Sequence, residues 1–203
     1  GTPSLASPSY IEKVLNANKL DESAEVTLEL NPGSLEFNNL SELRSAGINR
    51  ISMGAQSFDD QHLNTLGRIH SSREILGAFE LLRKTGFTNI NIDLMWGLPN
   101  QTVTDAIRDL KQAITLNPEN ISWYQLTIEP KTEFYINRPK LPRDSTLSQI
   151  EEEGLRLLAV HRYLRYEISA FAKDSFKCHH NLNYWNFGDY LGVGAGAHGK
   201  LTF

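Results

Sequence analysis

Four polar residues stand where a mostly apolar pattern breaks. Glu29, Gln56, Asp93 and Thr127 lie at or just past the ends of four successive runs rich in apolar and β-branched residues. In a chain of parallel strands that position carries chemical meaning, because side chains at the C-terminal strand ends converge on one rim. Two carboxylates, an amide and a hydroxyl converging there from four strands are a stronger signal of a site than any one of them alone. Asp93 is the sharpest of the four, since it interrupts "NINIDLMWG" and a carboxylate inside a buried strand is costly unless paired or bound. Glu29 has a second reading as a solvated end-of-strand residue. Gln56 and Arg68 have one as solvated loop side chains, although Arg68 could also grip a carboxylate through two parallel bonds.

A second constellation is "KCHHNLNYWNFGDYLGVGAGAHG", Lys177 to Gly199, which holds the only cysteine, three histidines and five glycines. Cys178, His179 and His180 are adjacent, and in an extended segment neighbouring side chains point to opposite faces, which is poor geometry for one metal. Haem needs only one or two axial ligands and an apolar wall, and His180 with Tyr184 and Trp185 could supply both. The competing reading is structural: Tyr184, Trp185, Phe187 and Tyr190 cover the open side of a core, and His180 and Asn181 bond to loop backbone. The glycines fit a dinucleotide fingerprint poorly because they are too closely spaced.

The elements that must position these groups alternate. Strands are expected at 25–30, 49–55, 89–97 and 120–128, with two more at 166–172 and 189–194. Helices are expected at 38–47, 59–67, 71–86, 102–118 and 146–165. The third of these helices opens with Ser71 and Glu74, a capping box. Strand starts recur every 25 to 40 residues or so, roughly one βα unit. The fold class is therefore α/β with a parallel sheet, and the polar strand ends favour a barrel, or part of one, over a doubly wound sheet.

Composition excludes several functions. The 203 residues suffice for one sizeable core, and 40% apolar with 22% charged residues is ordinary for a globular chain. A net charge of −4 argues against a basic nucleic-acid surface. One cysteine rules out an internal disulfide framework or a cysteine-held cluster within these residues and suits a reducing cytoplasm. No apolar run approaches the length of a membrane span.

Several stretches together carry a resemblance: "GTPSL", "ELNP", "NRISMGAQSF", "LGRIH", "IDLMWGLPNQT", "SWYQLTIEP" and the HNxxYW pattern of His180, Asn181, Tyr184 and Trp185. In order, they resemble the radical S-adenosylmethionine (SAM) proteins related to oxygen-independent coproporphyrinogen III oxidase, and within these the HemW, or haem-chaperone, branch. The resemblance implies a partial (β/α)6 barrel of the TIM type, with SAM and a 4Fe-4S cluster as cofactors. Gly1 and Thr2 match the end of a glycine motif that holds the methionine amino group. Glu29, Gln56, Arg68 and Asp93 match SAM-binding positions, and Thr127 matches another with a different side chain. In the relatives the glycine turn before His198 borders the SAM pocket, which implies a close backbone approach to the ligand there, with His198 as a contact. Haem would be the cargo, passed to haem-requiring proteins such as respiratory enzymes; a homodimer is compatible. The alternative is oxidative decarboxylation of coproporphyrinogen III. The family's CxxxCxxC cluster loop does not occur here. Residues 1–203 are therefore expected to form the core fragment of a longer protein, without the first strand, the cluster segment and the C-terminal domain, and to be inactive in reductive SAM cleavage on their own.

Overall fold

The computed structural model describes residues 6–34 and 39–203. Six strands form one sheet: β1 (Thr27–Leu30), β2 (Arg50–Gln56), β3 (Ile90–Trp96), β4 (Asn120–Gln125), β5 (Leu164–Arg165) and β6 (Ala170–Ala172), in the order β1-β2-β3-β4-β6-β5. The first four run parallel in sequence order, as βα repetition requires. The helices are α1 (Pro8–Ala17), α2 (Leu40–Ser45), α3 (Asp60–Thr65), α4 (Ser72–Lys84), α5 (Val103–Leu116), α6 (Glu133–Ile136), α7 (Asp144–Val160) and α8 (His179–Trp185).

Strand alternation sorts the side chains. Leu28, Leu30, Ile51, Met53, Ile90, Ile92, Leu94 and Ile121 share one core with helix residues Ala78, Phe79, Leu82, Ala106, Leu110 and Ala113. The other set, Thr27, Glu29, Ser52, Asn91, Asp93 and Ser122, is polar and lines the inner face of the sheet. In a closed barrel that face is ordinarily packed with branched apolar residues. Here it is polar and open.

Local signals fix the frame. Ser71 caps α4 and Glu74 reaches back to the Ser71 backbone N–H; Thr102 and Asp105 do the same for α5. Ser71→Ala is expected to cost about 1 kcal/mol, a fall of roughly 2–4 °C in melting temperature for a chain of this size, measurable by circular dichroism. Arg83 near the end of α4 binds both oxygens of Glu119 at 2.9 and 3.0 Å, and Glu119 also accepts from the Ile90 N–H at 3.0 Å. One carboxylate thus ties α4 to the entry of β3 and β4.

Four expectations change. The stretch 166–172 forms only the three residues of β6, and it pairs antiparallel with β4 and with β5; the chain passes from α7 to β5 first and then turns back, so β6 lies between β4 and β5 and runs against both. The stretch 189–194 forms no strand, only a single bridge between Tyr190 and Lys200; Gly194 and Gly196 adopt positive φ, which breaks a ladder. The segment after Cys178 is helical rather than extended. Helices α1 and α6 were outside the sequence pattern altogether.

Candidate functional site

The inner face opens into a hollow of about 900 Å³, lined by β1, β2, β3, β4 and the start of α8. Register places its polar groups side by side: Glu29 pairs with Ser52, Gly54 with Asp93, and Asp93 with Ser122. Asp93 is the fourth residue of seven in β3, mid-strand rather than at the strand end as expected, because β3 runs on to Trp96. Its two oxygens accept from Ser52 Oγ at 3.2 Å and Asn91 Nδ2 at 2.7 Å. Asn91 Nδ2 also lies 2.9 Å from both Ser52 Oγ and Ser122 Oγ, and Ser122 Oγ lies 3.2 Å from Asn91 Oδ1. Burial pushes the Asp93 pKa up; the Ser122, Asn91 and Ser52 bonds oppose that, and the Glu29 charge adds to it. The network therefore orients a carboxylate that stays poised to take a proton or a cationic partner.

At the C-terminal edge the geometry differs from the expectation. Gln56 closes β2 in the left-handed region (φ 71°), next to a register shift between Gly54 and Gln56. Its side chain is buried, accepts the Tyr124 hydroxyl at 2.6 Å and does not line the hollow. The Tyr124 phenol is raised to about 12, chiefly by burial and then by the Asp93 charge; Gln56 and Arg68 oppose this. Gln56, Tyr124, Arg68 and Asp93 thus share one electrostatic neighbourhood, and Tyr124 stands two residues after Ser122 on the same face of β4. A Cβ at Gly54 would sit 3.1 Å from both Asn31 Oδ1 and Gln56 Nε2, so a larger residue there would crowd the bulge.

The opposite wall belongs to α8. Cys178, His179, His180, Asn181 and Asn183 line the hollow. The His180 ring meets Tyr184 edge-on with centroids 4.7 Å apart, and Tyr184 meets Tyr190 at 4.4 Å. Trp185 is half-exposed and lies off the hollow. Thr127 is exposed two residues beyond β4, and His198 is exposed in the glycine loop; neither reaches the hollow. Gly1 and Thr2 lie outside the described residues. The structure therefore gathers Glu29, Asp93 and His180 about one hollow, sets Gln56 on the Tyr124 hydroxyl with the Arg68 charge acting on that phenol, and leaves Thr127, His198 and Trp185 apart. Sequence reasoning missed Ser52, Asn91 and Ser122, although the period-two parity of Asp93 and the strand register would have reached them. It also missed Glu25 and Arg50, for which no local signal exists.

A profile of the radical SAM superfamily matches residues 1–113. This chain belongs to the radical SAM superfamily. The radical SAM chain is 53% identical to the heme chaperone HemW of Haemophilus influenzae over 207 residues, covering 100% of this chain and 54% of that protein. It is 49% identical to that of Escherichia coli, at 100% and 55% coverage, and 38% identical to that of Bacillus subtilis, at 99% and 55%. It therefore spans about half the length of the curated relatives it matches. Among solved structures it overlays the coproporphyrinogen III oxidase (HemN) of E. coli, described as a radical SAM enzyme, with a TM-score of 0.84 and 27% identity, covering 98% of this chain and 50% of that one. The fold is thus the partial barrel of this superfamily.

The superfamily implies SAM and a 4Fe-4S cluster. The residues of this radical SAM chain fit the first: Glu29 and Asp93 offer carboxylates to a sulfonium or to ribose hydroxyls across a polar hollow. They do not fit the second. The single cysteine, Cys178, is buried with its thiol on Glu25, and no group of three His, Cys, Asp or Glu side chains among the described residues could hold a metal ion. Nor is any helix among them long and apolar enough to cross a membrane.

Proposed function

We propose that this chain forms the core of a haem chaperone, which binds haem at α8 and passes it to haem-requiring proteins such as respiratory enzymes. One observation carries the reading: His180, edge-on to Tyr184, faces the hollow from α8 while Glu29 and Asp93 face it from the sheet. An imidazole at the edge of an aromatic group suits an axial iron ligand with an apolar flank. SAM would occupy the sheet side, where Glu29 and Asp93 receive its positive end and Gln56 holds the Tyr124 hydroxyl. Whole-chain similarity to proteins named heme chaperones supports the assignment.

Haem titration followed by absorbance tests this. The protein is expected to bind haem with a histidine-ligated spectrum, and His180→Ala to lower affinity by about tenfold or more, the loss of one strong ligand interaction. Unchanged affinity and spectrum in that variant would remove the site. The overlay with a coproporphyrinogen III oxidase favours a second reading, a radical decarboxylase of porphyrinogen side chains. Anaerobic incubation of the whole protein with coproporphyrinogen III, SAM and a reductant separates the two: protoporphyrinogen IX would establish the oxidase, and its absence with haem bound would establish the chaperone.

A further inference from the structure

Helix α8 carries His180, but the group that aims it lies elsewhere in the chain. Glu25 sits two residues before β1, and its carboxylate accepts from the His179 backbone N–H at 3.1 and 3.2 Å, from the His180 N–H at 3.5 Å and from the Cys178 thiol at 3.2 Å. The first N–H groups of any helix have no partner within it, and Cys178 at the N-cap supplies no side-chain bond. Glu25 therefore caps α8 from the far end of the sequence, and its negative charge suits the helix N-terminus. The anchorage continues behind it. The Arg50 guanidinium, 5% exposed, lies 4.0 Å from Glu25 and reaches Thr27 Oγ1 at 3.4 Å. The Cys178 N–H donates to Tyr166 Oη at 3.3 Å.

An α8 of seven residues has little stability of its own. Its residues Tyr184 and Trp185 are about half exposed, so core burial does not hold it. Apart from the Tyr166 bond, the hydrogen bonds that fix its start run through one carboxylate. Residues 25, 27 and 29 all line the hollow, so the strand that offers Glu29 to the hollow also carries the clamp on the opposite wall.

We propose that Glu25 is a positioning residue for haem binding: it locks the start of α8 onto the sheet and so holds the His180 imidazole at the hollow. This role rests on the haem reading above. It also accounts for Cys178. The thiol is raised in pKa chiefly by burial, which Arg50 and a backbone bond from Asn181 oppose and Glu25 reinforces, so the cysteine is a packed, protonated part of the clamp rather than a nucleophile.

The test pairs Glu25→Ala and Glu25→Gln with His180→Ala in haem titrations. Glu25→Ala is expected to lower haem affinity by about tenfold, the loss of charge-assisted bonds to the helix, and to weaken the histidine-ligated spectrum. Glu25→Gln keeps an acceptor oxygen for the helix N–H groups and should bind close to wild type; its behaviour guards against a result due to misfolding. Because Glu25 acts through His180, the double variant with His180→Ala should bind no more weakly than His180→Ala alone. Independently of haem, Glu25→Ala should speed alkylation of Cys178 by iodoacetamide. Wild-type affinity in Glu25→Ala, or losses that add in the double variant, overturns the proposal while leaving the haem site standing. A His180→Ala protein that binds haem like wild type overturns the haem reading instead, and Cys178 alkylation then still reports whether the clamp exists.

Discussion

Gly154→Ala should lower the melting temperature by roughly 6–12 °C, for a loss of about 3 kcal/mol in a chain of this length. Gly154 is one of the buried residues of α7. A Cβ built there would sit 1.9 Å from Trp123 Cη2 and 2.6 Å from two further atoms of the ring. The ring cannot swing away: Trp123 is 4% exposed and packs on Trp96 with centroids 5.3 Å apart. Helix α7 must therefore shift off β4, which separates the helix from the strand that carries Ser122 and Tyr124. Overpacking of this kind is relieved by shrinking the partner, so Gly154→Ala combined with Trp123→Leu should be more stable than the sum of the two single changes implies. Thermal unfolding followed by circular dichroism measures all three. A Gly154→Ala protein that melts with wild type would show that α7 does not press on Trp123.

Asp93→Asn should do two opposite things: raise stability at neutral pH and abolish most SAM binding. The folded pKa of Asp93 lies above that of an unfolded aspartate, about 3.9, because burial outweighs the bonds from Ser122, Asn91 and Ser52. Between the two values the folded state holds more protons than the unfolded one. Stability contributed by this group is thus complete below about pH 4 and declines as pH rises through the raised pKa. An asparagine removes that decline and still bonds to Asn91 and Ser52, so the difference in stability between variant and wild type should grow from pH 4 towards neutrality. The same change deletes the charge offered to the ligand, and charge-assisted bonds lost at a buried site cost about tenfold or more in affinity. Isothermal titration with SAM and urea unfolding at several pH values test the pair. A variant less stable than wild type at pH 7, or one that keeps full SAM affinity, would show Asp93 to be a structural residue.

That contrast shows how far local pattern reaches. Strands β1 to β4 and helices α4 and α5 stand within a few residues of where alternation, capping boxes and glycine stops place them, because each is specified by neighbours in sequence. Asp93 announced itself as a carboxylate inside an apolar run, and Glu29 as the polar partner of Leu28 and Leu30. The HNxxYW segment was visible as a cluster, yet its helix was not: a seven-residue helix without its own cap has no periodicity to read. The antiparallel β6 and the exposed positions of Thr127 and His198 were equally hidden, since pairing direction and strand length depend on where the chain returns after α7.

The sequence by itself determined the βα frame and the presence of acidic groups on one sheet face, both of which follow from residue type and short-range spacing, and its motifs carried the resemblance to the family. Only the tertiary structure decided that Gln56 turns inward to Tyr124, that Asp93 stands mid-strand in a bonded network with Asn91, Ser52 and Ser122, and that Glu25 holds α8 across the hollow. The physical reason is the same in each case. These arrangements rest on hydrogen bonds and desolvation between residues tens to more than a hundred positions apart, and such terms come into being only when the sheet brings those residues together.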